Sequence, residues 1–111
     1  MYIANLTYIK PLTEVEAYLE KHIAFLDKYY KLGKFICSGR KNPRDGGIIL
    51  CNAKDEQEMK AIIAEDPFNQ QQIASYALIE FYPTKYAPDF KSFVEGSNYL
   101  VEQPAPNIIE L

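Results

Sequence analysis

The sequence of 111 residues has no tryptophan, one histidine and only two cysteines, Cys37 and Cys51. With a single histidine, His22, no zinc quartet or two-cysteine, one-histidine site of good spacing can be assembled, so we predict no metal. The chain also lacks a P-loop and a dinucleotide fingerprint, and no cofactor is expected. Both cysteines lie in apparent strands, and the first residues lack a charged region and a cleavage site. We therefore expect buried, reduced thiols and a cytoplasmic protein.

Excess positive charge and long apolar runs are missing as well. Twelve basic residues stand against fifteen acidic ones, giving a net charge of −3 at pH 7. Such a chain has no basic excess to neutralise phosphates, so neither nucleic acid nor an anionic membrane is a predicted partner. No apolar run approaches the ~20 residues that span a bilayer. Hydrophobic residues make up 48%, with nine tyrosines and six phenylalanines, which indicates one soluble domain with a well-packed core.

The spacing of apolar residues predicts six elements in the order β-α-β-β-α-β. The first helix is expected to begin at a capping box, Thr13 with Glu16, and to end near Leu32 at a left-handed Gly33. The second is expected to begin at an Asp55 cap and to end at Asp66-Pro67. The predicted strands are residues 2–9, 34–38, 47–51 and 73–82.

This order is typical of a ferredoxin-like α+β fold, in which both helices cover one face of a four-stranded antiparallel sheet. The fourth strand is apolar on both of its faces, so the uncovered face of the sheet should expose a large apolar patch. We expect a homodimer formed by two such faces. The alternative is that the tail folds back over this face. We predict a domain at 1–86 and an extension at 87–111 that packs on the domain or the partner, with these apolar residues available: Phe90, Phe93, Tyr99, Leu100 and Val101.

His22 interrupts an otherwise apolar and aromatic stripe in VEAYLEKHIAFLDKYY, residues 15 to 30. A lone histidine on such a face is more often a core or interface residue than a catalytic one. Its ring nitrogens nevertheless need partners, which its own helical backbone cannot supply. Asp66, in AEDPF, is a candidate partner that would orient the imidazole for acid–base chemistry. An aspartate before proline can equally serve only to end a helix, and both interpretations remain open.

The segment SGRKNPRDGG, residues 38–47, has the composition of a loop. Its Ser38 hydroxyl, the amides near Gly39 and three cations, Arg40, Lys41 and Arg44, could together hold a small anion. The alternative interpretation is a solvated hairpin connection without a ligand, and the residues do not decide between the two.

Four stretches, in this order and spacing, resemble the YCII-related (YciI-like) proteins over roughly residues 1 to 86. They are KHIAFLDKYYKLGKF, CSGRKNPRDGGIIL, AEDPF and IEFYPTKY. The helix-one histidine and the Asp-Pro-aromatic corner carry the resemblance, here His22 and Asp66-Pro67-Phe68. The chain departs from the family pattern at Arg40, where proline is common, and after the corner, where a glycine is common.

The resemblance implies a ferredoxin-type fold of the dimeric α/β-barrel class, with His22 and Asp66 together in a cleft as the catalytic pair. It also implies ligand contacts from Ser38, Gly39, Arg40 and Phe68. A relative acts as a dehydrochlorinase on a chlorinated aromatic compound, which implies cofactor-independent proton transfer on small ring compounds. With this resemblance we favour an acid–base enzyme. The competing hypotheses are a small-molecule binding or accessory dimer without catalysis, and a purely structural dimer.

Overall fold

The computed structural model describes residues 1–95, which form a four-stranded sheet and five short helices. The strands are β1 (Tyr2–Tyr8), β2 (Phe35–Arg40), β3 (Gly46–Cys51) and β4 (Ala74–Glu80). The helices are α1 (Leu12–Ala17), α2 (Leu19–Lys31), α3 (Glu56–Ile63), α4 (Pro67–Gln70) and α5 (Lys91–Glu95), with a 3-10 turn at Pro88–Phe90 before α5. None of the helices in this described part is long and apolar enough to cross a membrane.

The sheet has the strand order β2-β3-β1-β4, and every neighbouring pair is antiparallel. This arrangement confirms the predicted ferredoxin-like α+β fold. Strand residues that alternate along β1, such as Ala4 and Leu6, are buried and join one core with residues of the helices, such as Val15, Phe25 and Met59. The helices thus cover one face of the sheet, as the crossover rule predicts.

The first helical segment differs from the prediction at its start and in its middle. The helix begins at Leu12 after Pro11, whose carbonyl accepts from the amides of Glu14 and Val15, so the predicted Thr13–Glu16 capping box is wrong. The segment also breaks at Tyr18, with φ −109° and ψ 6°, and α2 begins anew at Leu19. At the end of α2, Gly33 has φ +75°, which confirms the left-handed stop.

The second helical segment is also two helices rather than one. Asp55 caps α3 as predicted, accepting from the amide of Glu58 at 2.8 Å. The helix ends at Ile63, before Asp66-Pro67, so the prediction that this dipeptide terminates it is wrong. Instead, Asp66 is the N-cap of α4, and Pro67 occupies the first turn, where its missing N–H costs nothing.

The face of the sheet opposite the helices carries exposed apolar side chains beside polar ones, such as Asn5 and Thr7. It carries Ile48 and Ile79, which are 36% and 52% exposed. Cys37 is exposed and pairs in register with Leu50, whereas Cys51 is buried. The expectation that both thiols are buried is therefore wrong for Cys37, because a register shift between Phe35 and Cys37 turns this residue of the edge strand away from the core.

The first residues of the predicted C-terminal extension contact the domain. Asn52, which follows β3, donates from its side-chain amide to the carbonyl of Phe93 at 3.0 Å, and Val94 is fully buried. These contacts agree with packing of the extension on the domain. The remaining residues 96–111, including Tyr99, Leu100 and Val101, lie outside the described residues, so the prediction about the tail as a whole stays a prediction.

Candidate functional site

A cleft of about 300 Å³ lies between α2 and the end of the sheet where β2 and β3 meet. Its walls are mostly apolar, with side chains such as Leu19, Ile23 and Leu26 from α2. Of the six candidate residues from the sequence, five line the cleft: His22, Ser38, Gly39, Arg40 and Phe68.

Asp66 lies behind His22 instead of on the wall. The Nδ1 atom of His22 and the Oδ1 atom of Asp66 are 2.8 Å apart. The carboxylate is fully buried, whereas 12% of the histidine side chain is exposed. Asp66 is thus a partner of His22 and also a helix cap, but it caps the start of α4 instead of ending a helix, because the same Oδ1 accepts from the backbone amide of Phe68 at 3.0 Å.

Tyr76 is the third donor to this carboxylate, and sequence reasoning missed it. Its hydroxyl donates to Oδ2 of Asp66. Burial raises the pKa of Tyr76 far above its ordinary value, and the charge of Asp66 and the hydrogen bond to it add to the rise, so the phenol remains a donor. A signal was present in the sequence, since a tyrosine among Ala74 and Leu78 on an inward face needs a partner for its hydroxyl.

The donor and acceptor roles of His22 depend on the state of Asp66. If this carboxylate is ionised, it only accepts, so Nδ1 is then the donor to Asp66, and Nε2 of a neutral ring holds the lone pair. Within residues 1–95, Nε2 makes no protein hydrogen bond. No buried side-chain nitrogen or oxygen of this part of the chain lacks a partner, so Nε2 is accessible, and the ring lines the cleft. The arrangement can take a proton from a bound molecule and return it.

Ser38, Gly39 and Arg40 belong to β2, not to a loop, and this corrects the predicted extent of the connection. They enter the cleft from this strand. Arg40 pairs with Gly47 of β3, which also pairs with Leu6 of β1 and adds no side chain to that face. The Ser38 hydroxyl lies 2.6 Å from the hydroxyl of Tyr30.

Only one of the three cations in this segment lines the cleft. Lys41 donates to Asn5 and Thr7, and Arg44 lies 3.7 Å from a carboxylate oxygen of Glu16. A three-cation anion site is therefore wrong. Arg40 is exposed, and within residues 1–95 it forms no ion pair. Its charge is available to a ligand in the cleft.

Comparison with known proteins agrees with this fold. A solved structure of 5-chloro-2-hydroxyhydroquinone dehydrochlorinase (TftG) from Burkholderia phenoliruptrix AC1100, in complex with 2,5-dihydroxybenzoquinone, is similar, with a TM-score of 0.63 and 15% sequence identity. The similarity covers 80% of this chain and 98% of that one, which supports the fold assignment. No curated protein sequence matches the chain. The model of the YCII-related domain matches residues 1–82, and the chain belongs to the YCII-related family.

Proposed function

We propose that the protein is a cofactor-independent acid–base enzyme, of the lyase or isomerase type, that acts on a small ring compound. The observation that carries this proposal is the 2.8 Å contact between Nδ1 of His22 and the fully buried Asp66, with the same imidazole lining an open cleft. Buried carboxylate–histidine pairs of this kind orient the ring and stabilise its charged form during proton transfer.

In the proposed reaction, Nε2 of His22 takes a proton from the bound compound, and Asp66 holds the imidazole in place. The wall of the cleft supplies the other contacts. The ring of Phe68 flanks His22, and Arg40 with Ser38 and the backbone near Gly39 meets the negative charge that develops on an oxygen of the substrate. The neighbouring dehydrochlorinase was solved with a hydroxylated quinone bound, and a cleft of about 300 Å³ accommodates a single ring.

The ligand contacts can be tested with benzoate and benzamide, which share a ring and differ in charge. Because Arg40 is not neutralised by the described residues, benzoate should bind tighter than benzamide by about tenfold or more. Arg40→Met should remove this preference, whereas Arg44→Met, at a cation outside the cleft, should keep it. Binding is followed by the NMR chemical shifts of the cleft residues during titration with each probe. Equal affinity of the wild type for both probes contradicts the contact from Arg40. The absence of any shift change at the cleft with either probe contradicts the ring site.

The alternative function is a small-molecule binding or accessory dimer, in which the His22–Asp66 pair is a ligand contact without catalysis. The same cleft, with a polar pair at its edge, serves either function. Incubation of wild-type protein with a pool of hydroxylated and carboxylated ring compounds separates them. Consumption that depends on His22 supports the enzyme, and tight binding with no consumption supports the accessory protein.

We also propose that two copies associate through their open sheet faces. The support is a set of apolar side chains on this face, where Ile48 and Ile79 are exposed and Ile3 pairs in register with both Leu50 and Ile79. Burial of one such side chain contributes ~1.5–3 kcal/mol, so a lysine in place of the exposed Ile79 should prevent association. Light scattering should give a dimer for the wild type and a monomer for Ile79→Lys, while Ile23→Lys, on α2, should remain dimeric. A wild-type monomer at micromolar concentration contradicts the dimer.

A further inference from the structure

We propose that Tyr76 is a positioning residue, which holds Asp66 as a charged acceptor and thereby fixes the tautomer of His22. This inference rests on the proposed acid–base function and gives a role to a residue outside the cleft wall. The hydroxyl of Tyr76 bonds Oδ2 of Asp66, whereas His22 and the amide of Phe68 bond Oδ1. Three donors from three different elements, α2, α4 and β4, therefore surround one carboxylate.

The position of Tyr76 makes this contact rigid. It pairs in register with Leu6, on the face of the sheet that the helices cover. Its pKa is raised by burial and by the charge of Asp66, so it does not lose its proton over the range in which a histidine titrates. Tyr76 consequently acts as a permanent hydrogen-bond donor to Oδ2.

Loss of this donor would leave a fully buried carboxylate oxygen without a partner. A buried charge with an unsatisfied oxygen is costly, and uptake of a proton by the carboxyl group relieves that cost. A protonated carboxyl can donate to Nδ1 of His22, and the neutral ring must then carry its own proton on Nε2. A ring in that tautomer cannot accept a proton from a molecule in the cleft. Tyr76 thus keeps Nε2 free to act as a base.

The single histidine makes the tautomer directly measurable by long-range 1H–15N correlation spectroscopy of its ring, recorded on the alkaline side of the titration curve measured for that ring. The wild type should show Nδ1 protonated and Nε2 unprotonated. Tyr76→Phe should make the Nε2–H form the major one. Tyr29→Phe is the matched control, since it removes a tyrosine hydroxyl that donates to another carboxylate, that of Glu65. This variant should give the wild-type spectrum.

Each outcome has a distinct meaning. An unchanged tautomer in Tyr76→Phe overturns the positioning role and leaves the proposed function standing. A wild type that already carries its proton on Nε2 contradicts both. A second measurement, on the wild type alone, applies if the variant does not fold. The hydroxyl proton of Tyr76 should give a downfield, slowly exchanging signal with a nuclear Overhauser effect to the ring protons of Tyr76. The absence of this signal overturns the inference.

Discussion

The imidazole of His22 and the ring of Phe68 lie face to face, with centroids 4.0 Å apart and planes inclined by only 3°. Phe68 stands two residues after Asp66, so a single corner of the chain holds the imidazole in two ways. The carboxylate binds it at its edge, and the phenyl ring supports it from one face. Together they leave the imidazole little freedom to rotate about its side-chain bonds.

Replacement of Phe68 by leucine should separate this stack from general packing. Phe68 is 1% exposed, so Phe68→Leu should lower the free energy of unfolding by ~1–3 kcal/mol, as usual for a shape change in a core. It should also remove the upfield ring-current shift that Phe68 imposes on the His22 ring protons. Phe25→Leu is the control, because Phe25 lies farther away, at 6.1 Å, and is tilted. A His22 shift unchanged in Phe68→Leu contradicts the stack.

Gly46 is predicted to tolerate no side chain. A Cβ atom there would lie 1.7 Å from the carbonyl oxygen of Leu6, so the β1–β3 ladder would have to separate. We expect Gly46→Ala to lower the free energy of unfolding by about 3 kcal/mol or more, measured in urea. Gly39→Ala, in the adjoining strand with nothing within 4 Å of the added carbon, should change it by ~0.5 kcal/mol or less. Equal effects of the two substitutions contradict this account.

Gln72 has a left-handed backbone, with φ +53°, just after α4. Gln72 follows the Asp66-Pro67-Phe68 corner, after which the YCII-related pattern commonly has a glycine. A glycine adopts this conformation without the steric cost that a side chain incurs. Gln72→Gly should therefore stabilise the fold by ~0.5–1 kcal/mol. Gln71→Gly, at a residue with φ −97°, should give no such gain, and a gain there as large would remove the explanation.

Glu65 should make stability depend on pH in the acid range. The hydrogen bonds from Lys28 and Tyr29 hold the pKa of Glu65 below its ordinary value. A lowered folded-state pKa stabilises the fold above the pKa of the unfolded chain, and this contribution disappears as pH falls through the folded pKa. Glu65→Gln should therefore be less stable than the wild type near neutrality, by under ~1 kcal/mol because the pair is half-exposed. The difference should vanish in strong acid, and a constant difference at all pH values contradicts it.

The sequence predicts the element order and fold class because turn residues separate the apolar runs and Gly33 and Asp55 carry strong end signals. The start of the first helix was predicted wrongly, because the carbonyl of Pro11, and not the side chain of Thr13, accepts hydrogen bonds from the first amides. Acceptance by a backbone carbonyl leaves no signal in the sequence. Ser38 to Arg40 resemble a turn by composition, yet pairing with β3 extends the strand through them. Local composition does not reveal strand pairing with residues farther along the chain.

The residues of the candidate site likewise include some that the sequence predicts and one that it does not. His22 and Asp66 stand out because each is a titratable residue at a place where its neighbours are apolar or conformationally restricted. The signal at Tyr76 is weaker, because tyrosine fits an inward strand position as well as leucine does, and the need of its hydroxyl for a partner does not tell which residue supplies it. Its role depends on a contact with α4 that only the folded chain creates.

The most direct test of the central claim is proton exchange between a ring compound and solvent, followed by mass spectrometry in D₂O. Wild-type protein should replace a carbon-bound hydrogen by deuterium in at least one hydroxylated or carboxylated ring compound that binds the cleft. The hydroxyl and carboxyl deuterons are first exchanged back in H₂O, so that only deuterium on carbon is counted. Lys21→Gln, an exposed neighbour on α2, should introduce it at the wild-type rate, and His22→Gln should be slower by ~10²–10⁴-fold, the usual contribution of a positioned acid–base group. An equal rate for His22→Gln, or no exchange of any compound that binds the wild type, would contradict the account.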